Sequence, residues 1–257
     1  MKELYKIRLC ILLSLLILLI LGIIYNLNKN TEKFIEYDYK DVEFYALYIP
    51  KRKEYIKDVL GNFSFKVNYI LGVDKNELNI DKLIQDNIIT YDYSIKKANT
   101  GRVACHLGHL KILKEFLKTD KKYAIIFEDD ISINNYLETE YNIKRILNNL
   151  PKKFDIIYFD YCWSKCKSKK NYNEYFNYSN RTLCRHFYLV SRNGAEIIIN
   201  NTLPMFTNGD EMYSILDKNK KLISYDVKPK IFEVKQNRKL LGSELKNNPN
   251  EVPPKCI

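Results

Sequence analysis

Three consecutive acids, Glu128-Asp129-Asp130, follow directly on the apolar run Tyr123-Ala124-Ile125-Ile126-Phe127. Carboxylates packed this closely repel one another, so a protein core gains nothing from them. A divalent cation reverses the sign of that interaction, because hard cations take carboxylate oxygens and bring the missing positive charge. The apolar run is short and rich in β-branched and aromatic residues, and a polar Lys-Thr-Asp-Lys-Lys turn precedes it. That pattern predicts a buried strand. Ligands of open α/β sheets bind at the carboxyl ends of strands. Taken alone, the eight residues read equally as a metal and nucleotide-diphosphate site or as a solvated acidic turn.

The elements that would position these acids can be read on either side of them. Residues 44–49 predict a strand ended by Pro50. The basic run Lys51-Arg52-Lys53 then leads into a helix to about Leu60, and 65–73 predict a second strand. Strand, helix, strand opens an α/β domain. The basic run could meet phosphates or form a solvated face. Val103, Leu107, Leu110, Leu113 and Leu117 recur at helical spacing and predict a helix over 103–118, with Gly101 just before it. His109 shares the adjoining stripe with Cys105, as a core residue or a site residue, and His106 is expected at the surface. Beyond the acids, a helix is expected over 136–150 and a buried strand over 155–160, ending in Asp160. Residues 163–181 lack periodicity and read as a long loop of the kind that covers sites. A strand at 186–190 precedes a helix that Ser191 could cap. Asp210 stands in a polar turn where a helix through Ile215 begins and could be its N-cap. Short strands are expected at 222–225 and 231–234.

The chain has 257 residues, a formal net charge of +11 and 46% hydrophobic residues, enough for one sizeable domain. Eight Gly and seven Pro exclude a collagen-like chain. The lysines are scattered, and no recognition-helix, zinc-finger or RNP-like pattern is present, so no nucleic-acid partner is expected. Among the six cysteines, Cys162, Cys166 and Cys184 could supply one disulfide and a spare, and zinc spacings are lacking. Residues 9–25 carry no charge and reach the lower length for a membrane-spanning helix, preceded by Lys2, Lys6 and Arg8. The expected organisation is a short cytosolic N-terminus (1–8), a transmembrane anchor (9–25), a stem (26–43), a globular domain (44–245) and an irregular tail (246–257). That topology places the domain in a luminal or extracytosolic space, where Asn62, Asn177, Asn180 and Asn200 would be glycosylation acceptors.

Four blocks in fixed order resemble glycosyltransferase family 25, which includes lipooligosaccharide and procollagen galactosyltransferases. They are Tyr45 to Asp74; Gly101-Arg102-Val103-Ala104-Cys105-His106-Leu107-Gly108-His109; Phe127-Glu128-Asp129-Asp130-Ile131; and Tyr188-Leu189-Val190-Ser191-Arg192-Asn193-Gly194-Ala195. A weaker match follows through Asp210, Pro229 to Phe232, Gln236 and Ser243. The chain departs from the family's pattern at Pro50, at Arg102, at Gly108 and at Cys184-Arg185-His186-Phe187.

The resemblance implies a GT-A-type, Rossmann-like nucleotide-sugar transferase domain, a UDP-sugar donor and a divalent cation such as manganese. It implies inverting transfer of a hexose, galactose or glucose, to a hydroxyl on a glycan or protein, in lipopolysaccharide or glycoprotein synthesis. Glu128 and Asp130 would hold the metal. Asp129, Gly101, Arg102 and His109 would bind substrate. Asp210 would be the general base, with Asp160 in reserve. A non-catalytic relative that binds or scaffolds is the alternative. A metal-dependent phosphoryl transferase would use the same acids but lacks a P-loop or kinase motif set.

Overall fold

The computed structural model describes residues 16–20, 38–96, 99–165, 168–229, 231–232 and 234–242. The chain divides into two compact units, Met1–Tyr37 and Asp38–Ile257. In the first, residues 16–20 are helical, with exposed Leu and Ile side chains. Among the described residues no helix is long and apolar enough to cross a membrane. The expected anchor over 9–25 lies outside the described residues apart from 16–20. The tail over 246–257 and most of the stem also lie outside them.

The second unit is a mixed α/β domain. Strand β1 (Val42–Tyr48) begins just before the expected boundary at 44 and leads through a 3-10 turn at Pro50–Arg52 into helix α1 (Lys53–Leu60). Proline suits that first turn, where its missing N–H has no partner to lose. Strand β2 (Asn68–Leu71) is shorter than the expected 65–73. Phe65 stacks on Phe44, with ring centroids 3.8 Å apart, so it serves the core rather than the sheet ladder. Helices α2 (Ile80–Gln85) and α3 (Tyr91–Lys96) precede α4 (Thr100–Leu117). Asn99 caps α4 by accepting the Gly101 N–H, so Gly101 lies inside the first turn rather than before it. Next come β3 (Tyr123–Glu128), β4 (Ile131–Ile133) and α5 (Tyr136–Leu147). Strand β5 (Ile156–Cys162) runs on past Asp160, which therefore sits inside the strand and not at its end. Strands β6 (Phe176–Tyr178) and β7 (Leu183–Ser191) are followed by α6 (Arg192–Asn201) and α7 (Gly209–Lys218). Strands β8 (Ser224–Val227) and β9 (Val234–Gln236) and helix α8 (Arg238–Leu241) complete the described unit.

The main sheet has the order β2-β1-β3-β7-β5-β8-β6. Strands β2, β1 and β3 are parallel, β7 runs against β3 and β5, and β8 is parallel to β5. β3 thus lies near the middle, with neighbours on both edges, which is why its apolar run shows no alternation. Alternate residues still separate by face. Tyr45, Leu47, Ala124, Ile126, Tyr188 and Val190 join Leu110, Leu113 and Phe116 of α4, Ala195 and Ile198 of α6 and Tyr213 of α7 in one core. An aromatic layer that includes Phe44, Phe65, Phe127, Phe159, Phe187 and Phe232 forms through successive ring contacts. A second, two-stranded sheet pairs β4 with β9 and brings Gln236 back to the acids.

The stretch over 163–181 is not a loose cover. It contains β6, and the Lys169 ammonium forms a fully buried ion pair with Asp226 of β8. Cys162 and Cys184 form a disulfide across the same region, and Cys166 lies outside the described residues.

Ser191 caps α6 as expected, accepting the Gly194 N–H at 3.0 Å. Gly194 presses on the backbone of Asp155, and a Cβ there would fall 2.2 Å from the Asp155 carbonyl oxygen. Asp155 cannot retreat, because its carboxylate accepts from Asn193 Nδ2 and the Ile223 N–H. Gly194→Ala is therefore expected to cost about 3 kcal/mol in urea unfolding; a loss below about 0.5 kcal/mol would contradict this packing.

Candidate active site

Each of the three acids has a different environment. Asp129 is bound on both oxygens: Oδ2 accepts the Ile49 N–H at 2.7 Å, and Oδ1 accepts from Arg52 at 2.9 Å. Both side chains of this ion pair are buried. Burial nonetheless leaves the Asp129 pKa above the usual carboxylate value, despite Arg52. Asp130 is 3.9 Å from the same guanidinium and 3.4 Å from the Gln236 amide, and its carbonyl accepts the Asn237 N–H. Burial and the Glu128 charge push the Asp130 carboxyl up to about 6, and Arg52 offsets only part of this.

Glu128 rests on α4. Its Oε1 accepts from His109 Nε2 at 2.9 Å and lies 3.6 Å from Cys105 Sγ. A carboxylate requires a donor, so His109 carries its proton on Nε2. Nδ1 then accepts from the Tyr188 hydroxyl at 3.0 Å. Burial and the Arg185 charge lower the His109 pKa, which keeps the ring neutral in this tautomer. Burial works against the Glu128 charge, but the His109 hydrogen bond and nearby cationic groups outweigh it and hold its pKa down to about 2. Burial and the Glu128 charge push the Cys105 thiol well up, so it stays protonated.

A cleft of about 610 Å³ opens at the carboxyl ends of β1, β2 and β3. All three acids line it, with Lys51, Arg52 and Lys75 supplying positive charge and Gly101, Ala104 and Cys105 forming the wall from α4. Gly101 thus stands where the sequence expected a substrate contact. Arg102 turns aside and donates to Asn208 at 3.2 Å. His109 lies beneath Glu128 rather than on the cleft wall.

Asp210 does not line this cleft. It is the second residue of α7, whose N-cap is Asn208, so it is not the cap. Its carboxylate accepts the Cys184 N–H at 3.1 Å and the Glu211 N–H at 3.0 Å. It lies close enough to act electrostatically on Cys105 and His109. Asp160 is buried and accepts from His186 Nε2 at 2.7 Å.

Two buried groups beside the site went unrecognised in the sequence. His106, expected at the surface, is fully buried, with Nε2 on the Thr202 carbonyl. That bond makes Nε2 the protonated nitrogen, so Nδ1 accepts from Arg185 at 3.1 Å. Arg185 is a buried cation that packs 4.7 Å from the centre of the Tyr213 ring. The signal for it was in plain view: the polar pair Arg185-His186 interrupts an otherwise apolar strand.

The donor set fits a hard divalent cation. Glu128 and Asp130 are two carboxylates on one cleft wall, and the raised pKa of Asp130 marks the charge that a cation would relieve. Cys105, His109 and Glu128 also bring one donor atom each within 4.8 Å of one another, a mixed set compatible with a divalent cation. In the structure as it stands, hydrogen bonds inside that trio already satisfy it.

A mixed α/β domain with an acidic cleft at the carboxyl ends of its strands is thus the class that fold and site define. The profile of glycosyltransferase family 25 (LPS biosynthesis protein) matches residues 48–213, and the chain belongs to that family. A Drosophila melanogaster protein described as a glycosyltransferase 25 family member is 26% identical over 117 residues, 43% of this chain and 19% of that protein. The chain therefore matches about a fifth of that relative's length. Two solved structures align at 8% identity. One is a CMP:2-keto-3-deoxy-manno-octonic acid synthetase with CTP (73% of this chain, 90% of that one, TM-score 0.41), and the other is mouse xyloside xylosyltransferase 1 (74% and 73%, TM-score 0.37). At these scores neither likeness carries weight.

An aspartate whose folded pKa is raised costs stability as pH rises. For Asp130 the cost sets in above the unfolded value of 3.8 and is complete above about 6. Asp130→Asn should therefore stabilise the metal-free chain by on the order of 2–3 kcal/mol at pH 8 and hardly at all at pH 4, read by urea unfolding. Manganese should raise the melting temperature of the wild type and leave the variant unmoved. Equal stabilisation at both pH values would contradict the assignment.

Proposed function

We propose that this chain transfers a hexose, galactose or glucose, from a UDP-sugar to a hydroxyl on a glycan or protein, with inversion, through a GT-A-type site. One observation carries this reading: Glu128 and Asp130 stand together at the end of a central strand, in a cleft whose other charged groups include Lys51, Arg52 and Lys75. Glu128 and Asp130 would hold a divalent cation, with manganese favoured, that supplies Lewis acidity to the leaving diphosphate. The lysines add positive charge along the path of the phosphates. Asp129 fixes the turn through Arg52 and the Ile49 N–H.

Inversion needs a base that takes the acceptor proton on the face opposite the diphosphate. Asp210 is favoured over Asp160, whose carboxylate is buried inside β5 and bonded to His186. Two backbone N–H groups orient the Asp210 carboxylate and leave it only half-buried. The Cys162–Cys184 disulfide supports an oxidising, extracytosolic setting for the domain, consistent with an anchor over residues 9–25.

A screen of UDP-sugars by UDP release, with the full chain and manganese, tests this reading. At least one donor should be consumed, and Asp210→Asn should lower kcat by roughly 10²–10⁴-fold with UDP affinity unchanged. UDP binding without turnover of any donor would favour the non-catalytic alternative. Failure to bind UDP would defeat both.

A further inference from the structure

A second cleft of about 600 Å³ lies against α7. The helix contributes Glu211, Ser214, Ile215, Asp217 and Lys218, and Ser214, Ile215 and Lys218 stand three, four and seven residues after Glu211 on one face. Met212, Tyr213 and Leu216 on the other side of the helix are buried. The facing wall comes from residues 179–181, from Leu183 at the start of β7 and from Lys165.

Its chemistry suits a hydroxylated ligand. Among the described residues, Leu183 and Ile215 are its only apolar lining side chains. Serine hydroxyls and the Asn180 amide offer donors and acceptors side by side, as sugar hydroxyls require. Its two acids already have partners, Glu211 accepting from Thr207 and Asp217 from Ser224. Among the described residues no carboxylate pairs with Lys165, Arg181 or Lys218, so the cleft keeps a positive rim.

Asp210 does not itself line the cleft, but residues next to it and to its backbone partner do. Glu211 follows Asp210 in the chain, and Leu183 precedes Cys184, whose N–H holds the Asp210 carboxylate. Arg185, which follows Cys184, reaches Cys105 Sγ on the wall of the acidic cleft at 3.8 Å.

We propose that this second cleft is the acceptor subsite, and that it takes a saccharide bearing a carboxylate or phosphate, with the charge held by Lys165, Arg181 and Lys218. The proposal rests on the reading of the chain as a sugar transferase and names its acceptor class.

Calorimetry on the full chain tests it with digalacturonic acid, trehalose 6-phosphate and neutral trehalose. At least one charged saccharide should bind at least tenfold more tightly than trehalose, and comparison of the two charged arms tells carboxylate from phosphate. Arg181 and Lys218 are exposed. The Arg181→Ala/Lys218→Ala double variant, and Arg181→Glu separately, should each lose at least tenfold in that affinity while binding UDP with manganese as the wild type does. The proposal is overturned if no charged saccharide binds, if charged and neutral saccharides bind within twofold of each other, or if the variants keep the preference. Loss of UDP binding in the wild type would instead sink the transferase reading, and it is measured independently of these titrations.

Discussion

The site depends on a buried ion pair between residues 77 apart in the chain, Arg52 after β1 and Asp129 after β3. Three adjacent carboxylates cannot all turn to one side without a large repulsion. All three line the cleft, but the Arg52 guanidinium and the Ile49 N–H hold both oxygens of the middle one and offset its charge. Arg52 also donates to the carbonyls of Leu241 and Gly242, so the same cation ties down the end of the described chain. Removing one partner of a buried pair typically costs about 3–5 kcal/mol, because the other charge is left uncompensated. That cost would fall on the acidic turn.

Glu128 and Asp130 are held by different means, and the difference suits a shared cation. Glu128 is charged through its contact with a neutral His109, itself set by Tyr188. Asp130 resists ionisation because Glu128 is already charged. One negative charge is thus built in, and the second becomes favourable when positive charge arrives. A site of this kind binds a cation and a diphosphate more readily together than it holds two bare carboxylates.

Much of the fold was legible in the sequence. The run over 123–128 reads as a buried strand because both its faces are covered, and α4 reads from its leucine spacing. Ser191 reads as a cap from its place before Arg192. The acidic triplet reads as a candidate site because nothing in a core favours it. Other features are set by contacts distant in sequence. That Asp129 belongs to Arg52, that His106 is buried under Thr202, and that Gln236 returns to Asp130 through the β4–β9 pair depend on tertiary packing. The stretch over 163–181 lacks periodicity because a buried lysine–aspartate pair and a disulfide hold it, and neither leaves a periodic trace. Arg185 and His186 looked like departures from a pattern. They are a buried cation and an imidazole bonded to Asp160.

The central claim is that Glu128 and Asp130 together hold one divalent cation with the donor diphosphate. Electron paramagnetic resonance of manganese, titrated into the full chain with and without UDP, tests it most directly. The account predicts one bound manganese per chain, held at least tenfold more tightly when UDP is present, and lost in Asp130→Ala. Manganese binding that ignores UDP, or that survives Asp130→Ala, would contradict it.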